Sequence, residues 1–272
     1  RGPTMSADHH YPTDLSDEQW ELLQAVLPPR AWYPGGRGRP PKVDMRQILN
    51  GLLYLNKTGC QWRMVPKDFG NWSTLYGYFK RWRCQGLWAS LMEVLRQLER
   101  RCEGRHPEPS AGSIDSQSIK TATQHEDIGF DGNKRIKGRK RHILVDTLGL
   151  IIAVVVTDAS TDDRQGLVEL LTAYFADGIK RLRKVWVDGA YPAEWLEAWV
   201  GGLKQTHKID LESTTNQAGK GFQVVPWRWA VERTFAWLLN SRRHSRDYER
   251  LTVNSAAMIQ ISMIRLLLNR LA

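Results

Sequence analysis

Residues 141–159, RHILVDTLGLIIAVVVTDA, decide the fold class of this chain. Two apolar runs flank the tetrapeptide DTLG. Short runs rich in Val and Ile favour strands, and Asp and Gly are typical turn residues. We therefore predict two strands joined by a hairpin turn, and we assign Asp146 to that turn and not to chemistry.

The segments around this hairpin alternate between strand and helix patterns. SIDSQSI (113–119) precedes it as a strand, and DRQGLVELLTAYFADG (163–178) follows it as a helix, with Asp158, Asp162 and Asp163 as turn or cap residues. A strand KVWVDGAY, a helix PAEWLEAWVGGL, a short strand around THKIDL and two terminal helices complete the chain. This order predicts an α/β fold with a mixed sheet flanked by helices.

The first hundred residues have helical periodicity instead. Helices are predicted from a Ser16 cap to Pro28, from an Asp44 cap to Gly59, and from near Ser73 onward. Lys80, Arg81 and Arg83 lie on the third segment. The pattern fits a helix-turn-helix variant that enters a DNA groove, and it equally fits a helical bundle with a solvated basic face.

Two loop segments divide the chain. GGRGRPPK (35–42) is an exposed basic connector that carries Arg37 and Arg39. GRHPEPSAG (104–112) breaks the helical pattern and predicts a boundary between a helical DNA-binding domain, residues 11–104, and an α/β domain, residues 105–272. Such a linker leads us to expect separate cores.

Composition restricts the class of protein and its partner. The chain has 39 Lys and Arg against 29 Asp and Glu, a net charge of +10, which favours a polyanionic partner. Its three cysteines form no CxxC pair, which indicates reduced thiols and a cytoplasmic protein. The apolar run near the C-terminus is interrupted by Gln260, Arg265 and Arg270, so we interpret it as a packing helix and expect no membrane partner.

Three carboxylates form a candidate catalytic site. Asp115 lies in the strand SIDSQSI, and Asp188 ends the strand KVWVD. If these strands are neighbours, both acids meet at one edge of the sheet. Glu232, from a packed helix, is the best-placed third carboxylate. Three acids are able to hold two Mg²⁺ ions for phosphodiester chemistry, although any one Asp at a strand end is more often a turn residue.

The densest basic run is GNKRIKGRKRH, residues 132–142. It leads into a strand beside Asp115, and we predict that it grips the DNA backbone, with a solvated loop as the alternative. The predicted contacts are Lys134, Arg135, Lys137, Arg139, Lys140 and Arg141.

Taken together, these motifs resemble the bacterial insertion-sequence transposases of the DDE type, insertion-sequence five family. The residues that carry the resemblance are SIDSQSIK, the stretch from GNKRIKGRKRH to TDASTDDR, VWVDGAY and VERTFAWLLNSRR, together with LSDEQWELLQAVLP near the start. The resemblance implies a ribonuclease-H-like catalytic core and a catalytic, metal-binding triad of Asp115, Asp188 and Glu232. It also implies Mg²⁺, replaceable by Mn²⁺, as the cofactor, two ions in number.

The resemblance also implies a partner and further site residues. The partner is double-stranded DNA, both element ends and target, in the bacterial cytoplasm and associated with the nucleoid. Because two ends must be brought together, we expect a homodimer on DNA. Arg228 stands four residues before Glu232, as in related transposases, whereas Val225 and Leu239 replace the family's tyrosine and basic residue. Arg242 and Arg243 are the candidates for that basic role.

The helix around Glu232 is predicted to join carboxylate and phosphate-binding groups. At helical spacing, one face carries Arg228, Glu232, Phe235, Arg243 and Arg246. Trp229 and Trp237 are able to stack on unpaired bases, but core packing is the interpretation we favour for aromatic residues at this spacing.

The sequence leaves three functions open. The leading one is a transposase that hydrolyses phosphodiester bonds at element ends and then transfers the freed strands to target DNA. The second is a metal-dependent nuclease of the same fold that does not join DNA. The third is a DNA-binding repressor that uses only residues 14–101, and an intact acidic triad argues against it.

Overall fold

The computed structural model describes residues 11–26, 43–122, 126–176, 178, 180–188, 194–214 and 228–272. At positions 188, 194–197, 214 and 228 it describes the backbone only. None of the described helices is both long and apolar enough to cross a bilayer.

The N-terminal region is helical, as predicted. Helices α1 (Asp17–Val26), α2 (Met45–Thr58), α3 (Trp72–Cys84) and α4 (Leu87–Cys102) follow one another, with two short 3₁₀ turns between α2 and α3. Ser16 Oγ accepts the amide of Gln19 at 3.1 Å, and Asp44 caps α2 through the amide of Arg46 at 2.9 Å. The third predicted segment is two helices, because Gly86 adopts a left-handed conformation (φ 69°) between them.

The α/β region contains a six-stranded mixed sheet. Its strands are β1 (Ala111–Lys120), β2 (Gly129–Asp131), β3 (Ile136–Asp146), β4 (Ile151–Asp158), β5 (Lys184–Asp188) and β6 (Asp210–Thr214). β2 was not predicted. The helices of this region are α5 (Asp163–Phe175), α6 (Glu194–His207), α7 (Arg228–Leu239) and α8 (Thr252–Leu271).

Strand order confirms the ribonuclease-H-like fold class. β1 lies at the centre, antiparallel to β3 on one side and parallel to β5 on the other. β3 also pairs antiparallel with β2 and β4, and β5 pairs parallel with β6. The antiparallel β1-β3-β4 meander and the parallel strands beside it make the predicted mixed sheet.

Helices cover both faces of this sheet. Ile114 and Leu144 point to the face where α5 packs with Leu167 and Leu171. Because side chains alternate along a strand, Asp115 and its cross-strand partner Ile143 belong to the opposite face. Ile143 is part of the core that includes apolar residues of α7 and α8.

The expectation of separate cores was wrong. One continuous cluster of buried apolar residues joins the N-terminal helices, the inner face of the sheet, α7 and α8. Where α8 meets the N-terminal helices, Ile261, Ile264 and Leu268 lie with Leu52 and Leu91 around one small cavity. The loop 104–112 changes the secondary structure from helix to strand, but the apolar face of α8 is shared by both regions.

Buried polar contacts cross the same junction. Asn56 of α2 donates to the carbonyl of Met258 at 3.0 Å and accepts from Ser262 at 2.7 Å, both on α8. Arg100 of α4 pairs with the fully buried Asp146 at 2.5 Å. These contacts fix the register of the N-terminal helices against the α/β region.

Two buried histidines predict a loss of stability in mild acid. Burial lowers the pKa of His142 to about 4, and burial followed by the neighbouring charges of Arg141 and Arg243 lowers the pKa of His244 well below its ordinary value. The unfolded chain therefore binds protons at these histidines that the folded chain does not bind. The free energy of unfolding decreases for this reason as pH falls from about 6.5 toward 4. His142 alone contributes up to roughly 3 kcal/mol.

Thermal unfolding measured between pH 7.5 and 4 checks this expectation. His142→Asn should reduce the steepness of the decline, whereas the exposed His106, replaced in the same way, should leave it unchanged. If the thermal midpoint does not decrease as the pH is lowered below 6.5, the assignment of these histidines as neutral buried groups is contradicted.

Candidate active site

The two predicted aspartates lie on neighbouring strands, as expected. β1 and β5 run parallel, with Ala111 paired to Lys184 and Ser113 paired to Trp186. Continuing that register by two residues brings Asp115 level with Asp188 at the end of β5. The side chain of Asp188 lies outside the described residues. Asp115 is partly exposed, and one of its carboxylate oxygens accepts the amide of Ser116 at 2.7 Å.

Helix α7 places Glu232 on the Asp115 face of the sheet. The helix packs against β1, β3 and β5. Its buried side is formed by Ala230, Val231, Thr234, Phe235 and Leu238. Glu232 lies on the exposed side of the same helix.

The donor set suits a hard cation. Asp115 and Glu232 offer carboxylate oxygens, and the backbone of Asp188 is adjacent, whereas the described cysteines Cys60, Cys84 and Cys102 all lie in the N-terminal helical region. Oxygen ligands without thiolates are what Mg²⁺ and Mn²⁺ prefer. Among the side chains that the structure describes, which leave out that of Asp188, no three His, Cys, Asp or Glu residues form a ready metal-binding group.

The single helical face predicted for residues 228–246 is not present. α7 ends at Leu239, Phe235 is buried in the core, and Arg242–His244 form a separate 3₁₀ turn. Arg243 is buried and pairs with Glu249 at 2.6 Å, so it is not available to DNA, whereas Arg242 is exposed. For Arg228 the structure describes only the backbone, at the start of α7.

The basic run 132–142 is half exposed and half buried. Lys134, Arg135 and Lys137 are exposed and remain candidate DNA contacts. The prediction was wrong for Arg139, Lys140 and Arg141, which are buried in the central part of β3. Lys140 pairs with Asp163 at 3.1 Å, and Arg141 donates to the carbonyl of His244 at 3.2 Å. Burial lowers the pKa of Arg141 to about 10.

Arg139 organises the segment that precedes α8. Its guanidinium donates to the carbonyls of Glu249 and Glu126 at 2.6 Å and of Arg250 at 2.7 Å, and it lies 3.4 Å from Asp247. The side chain is fully buried. Arg139 therefore acts as a structural cross-link between β3 and the chain around residue 249.

Arg139→Ala is expected to destabilise the protein by about 3–5 kcal/mol, because it removes the cation that faces the buried Asp247 carboxylate and the donors to several buried carbonyls. The matched control is Arg135→Ala, at an exposed position three residues before β3's Gly138, which should change stability by less than about 0.5 kcal/mol. Denaturant unfolding of both variants measures the difference. Equal effects would contradict the structural role of Arg139.

The remaining predicted DNA contacts have different surroundings. Lys80 and Arg81 are exposed on α3, where Arg81 lies 5.1 Å from the ring centre of Tyr78, and Arg83 is half-buried. Arg37 and Arg39 lie outside the described residues.

Four other acids have the structural roles assigned from the sequence. Asp146 accepts the amides of Leu148 and Leu150, both at 2.9 Å. Asp162 caps α5, and Asp158 accepts from Ser160 and Thr161 in the turn before it. Asp163 accepts from Ser116 at 2.7 Å. Burial alone would raise its pKa, but that hydrogen bond and Lys140 hold the pKa below the ordinary value.

The tryptophans of α7 do not both pack in the core. Trp229 is 51% exposed, so the favoured interpretation was wrong for this residue. The guanidinium of Arg233 stacks between the two rings, 4.2 Å from the centre of Trp229 and 4.6 Å from that of Trp237. The i−4 and i+4 spacing around Arg233 was the signal available in the sequence.

An open groove between β1 and the end of α7 was not predicted from the sequence. Its volume is about 300 Å³, and its lining includes Gln117, Lys120, Leu239 and Arg246. Gln117 was detectable in principle, since it is the next residue on the Asp115 face of β1. Arg246 was not, because it reaches the groove only through the turn after α7.

Known protein families match both regions of the chain. A family described as "Transposase DDE domain" matches residues 106–267, and one described as "Putative transposase of IS4/5 family" matches residues 15–92. Over 118 residues the chain is 31% identical to the "Insertion element IS402 uncharacterized 16.2 kDa protein" of Burkholderia cepacia. The aligned residues cover 42% of this chain and 78% of that protein.

Two further relatives are covered over less than two thirds of their length. The "Putative transposase for insertion sequence element IS402", also of Burkholderia cepacia, is 30% identical over 119 residues, 42% of this chain and 54% of that protein. The "Uncharacterized protein y4sN" of Sinorhizobium fredii is 31% identical over 83 residues, 30% of this chain and 62% of that protein.

Proposed function

This chain belongs to the DDE transposases of insertion sequences, and from this premise we propose that it hydrolyses DNA at the ends of an element and then joins the freed 3′ ends to target DNA. The observation that supports the proposal is the parallel β1–β5 register, which, continued by two residues beyond the pair Ser113–Trp186, makes Asp115 level with Asp188. Helix α7, which carries Glu232, packs against both strands.

In this proposal Asp115, Asp188 and Glu232 hold two Mg²⁺ ions, for which Mn²⁺ substitutes. When bound, such ions increase the nucleophilicity of an oxygen and stabilise the leaving oxygen of a phosphodiester. Asp115 is held on a strand in the centre of the sheet, and Glu232 on a helix anchored by five buried residues. Ligands on rigid elements lose little freedom when the site is filled.

DNA recognition is proposed for the helical region, residues 11–104. Lys80 and Arg81 are exposed there and offer phosphate contacts. Lys134, Arg135 and Lys137 are exposed on the β2–β3 hairpin and add contacts near the carboxylates. We also propose a homodimer on DNA, because two element ends must be brought together before they are joined.

A joining assay tests this function. The DNA on either side of the gene supplies candidate inverted repeats, and a pre-cut duplex ending in such a repeat is incubated with the full chain, Mg²⁺ and a supercoiled target plasmid. The expected product is the labelled end joined covalently to the plasmid. Cleavage without joining would identify a nuclease of the same fold, and DNA binding without cleavage would identify a repressor.

A further inference from the structure

We propose that the groove between β1 and the end of α7 is a binding site for the DNA backbone, in which Lys120 and Arg246 hold phosphates of the strand that is cut. This inference rests on the proposed function and specifies how its site holds the substrate. The groove is formed where the end of β1 meets the end of α7 and the turn that follows.

The groove is lined by residues of β1 and α7, the two elements that carry Asp115 and Glu232. On β1, Gln117 follows Asp115 on the same face, and Lys120 lies five residues beyond Asp115, about 16 Å along a strand. On α7, Glu232 and Leu239 share the exposed stripe and are separated by about 10 Å along the helix axis. A polymer bound at the carboxylates and following either element therefore passes through this groove.

The positive charge in the groove favours a polyanionic ligand. Lys120 and Arg246 are both exposed, and neither forms an ion pair with any acid in the described part of the chain. Elsewhere in the same area cations are neutralised, as Arg243 is by Glu249 and Lys140 by Asp163. Two exposed cations in the lining of one groove are an electrostatic match for phosphates.

Arg246 is held in place by a buried network. Next to it, the Asp247 amide donates to the carbonyl of Lys120 at 2.9 Å, which joins the two cationic residues through the backbone. The Asp247 carboxylate accepts from Ser255 at 2.7 Å and lies 3.4 Å from Arg139. The turn that carries Arg246 is thus fixed on both sides, so the backbone from which the arginine side chain extends is positioned before DNA arrives.

Gln117, which lines the groove, has an unsatisfied polar atom. Gln117 Oε1 is buried and has no hydrogen-bond partner in the described structure. A buried acceptor without a donor is unfavourable, and a ligand or water donor relieves it. An amino group on a nucleobase is one such donor.

Salt-dependent binding of a short random-sequence duplex tests the site. With the full chain, the double variant Lys120→Gln and Arg246→Gln should reduce the slope of log affinity against log salt by about 0.9 for each phosphate that is no longer bound. The control is Arg181→Gln, an exposed cation just before β5. The start of β5 pairs with Ala111, at the opposite end of β1 from Lys120. If the control changes the slope by less than the double variant does, the result supports phosphate binding in the groove.

An added cation provides the converse test. Leu239 is 50% exposed on the groove wall, so Leu239→Lys adds a positive charge without opening the core and should steepen the salt slope. If the double variant and Leu239→Lys both keep the parental slope while the parent still cleaves and joins DNA, the groove inference fails and the proposed function stands. If the parent itself shows no salt-dependent binding to DNA, both fail.

Discussion

Asp115→Asn is expected to abolish DNA cleavage, with the rate falling by on the order of a thousandfold, while the fold and DNA affinity are retained. Loss of several kcal/mol of metal-dependent stabilisation of the transition state corresponds to a factor of that size. Asn keeps the shape of the side chain but replaces a charged ligand oxygen with an amide, so the change is confined to charge and metal affinity.

The position of Asp115 allows the substitution without disruption of the fold. The residue is partly exposed, and the hydrogen bond that it accepts from the amide of Ser116 is one that the amide oxygen of Asn is also able to accept. Unfolding measurements should therefore show little difference from the parent protein. Removal of one negative charge near DNA should strengthen binding slightly, which separates a catalytic defect from a binding defect.

Asp162→Asn is the matched control for this experiment. It makes the same change of charge in the same region, at the N-cap of α5, where Asn caps a helix as well as Asp does. Cleavage by this variant should equal that of the parent. Full cleavage by Asp115→Asn would remove Asp115 from the catalytic site.

The sequence predicted the sheet because local pattern and turn chemistry agree there. The hairpin 141–159 combines apolar β-branched runs with an Asp and a Gly in the turn, and Asp146 makes the predicted turn hydrogen bonds. The position of Asp115 beside the β5 strand followed from strand order alone, since a helical crossover brings sequential parallel strands together.

Burial of the basic residues in β3 was not predictable from local pattern. Three consecutive cations look solvated in a sequence, and a buried guanidinium needs partners that the local sequence does not show. For Arg139 those partners are carbonyls at Glu249 and Arg250, more than a hundred residues away. Lys134 and Arg135 differ from the buried cations of β3 in their position, because they lie in the turn before the strand.

The shared core was missed for a related reason. The loop 104–112 has the composition of a domain linker. Composition indicates that the loop itself is solvated, but it does not indicate which helix and sheet faces pack together on either side of it. The apolar face of α8 is continuous with that of α4, and the two helices are separated by about 150 residues of sequence. The pattern of an amphipathic helix does not specify which element its apolar face packs against, so only the tertiary structure shows that α8 completes the N-terminal bundle.

Removal of residues 1–105 is therefore expected to unfold the remainder of the chain and not merely to abolish recognition of element ends. In the full chain, α8 buries Ile261, Ile264 and Leu268 against the N-terminal helices, and Arg100 neutralises the buried Asp146. Each apolar side chain returned to water costs about 1.5–3 kcal/mol, and an unpaired buried charge costs about 3–5 kcal/mol more. Together these losses reach roughly the whole stability of an ordinary domain, about 5–15 kcal/mol.

Circular dichroism and thermal unfolding of the fragment 106–272 measure this effect directly, and co-expression of residues 1–105 as a separate chain should restore a cooperative transition. A point variant isolates the shared core from the truncation itself. Leu91→Ala, at a fully buried position of α4, should cost about 2–5 kcal/mol, whereas Met64→Ala, at a position 70% exposed, should cost less than about 0.5 kcal/mol. A fragment with the thermal midpoint of the full chain would show that the α/β region folds alone. The contacts of α8 with α2 and α4 would then be a docking interface between two independent domains.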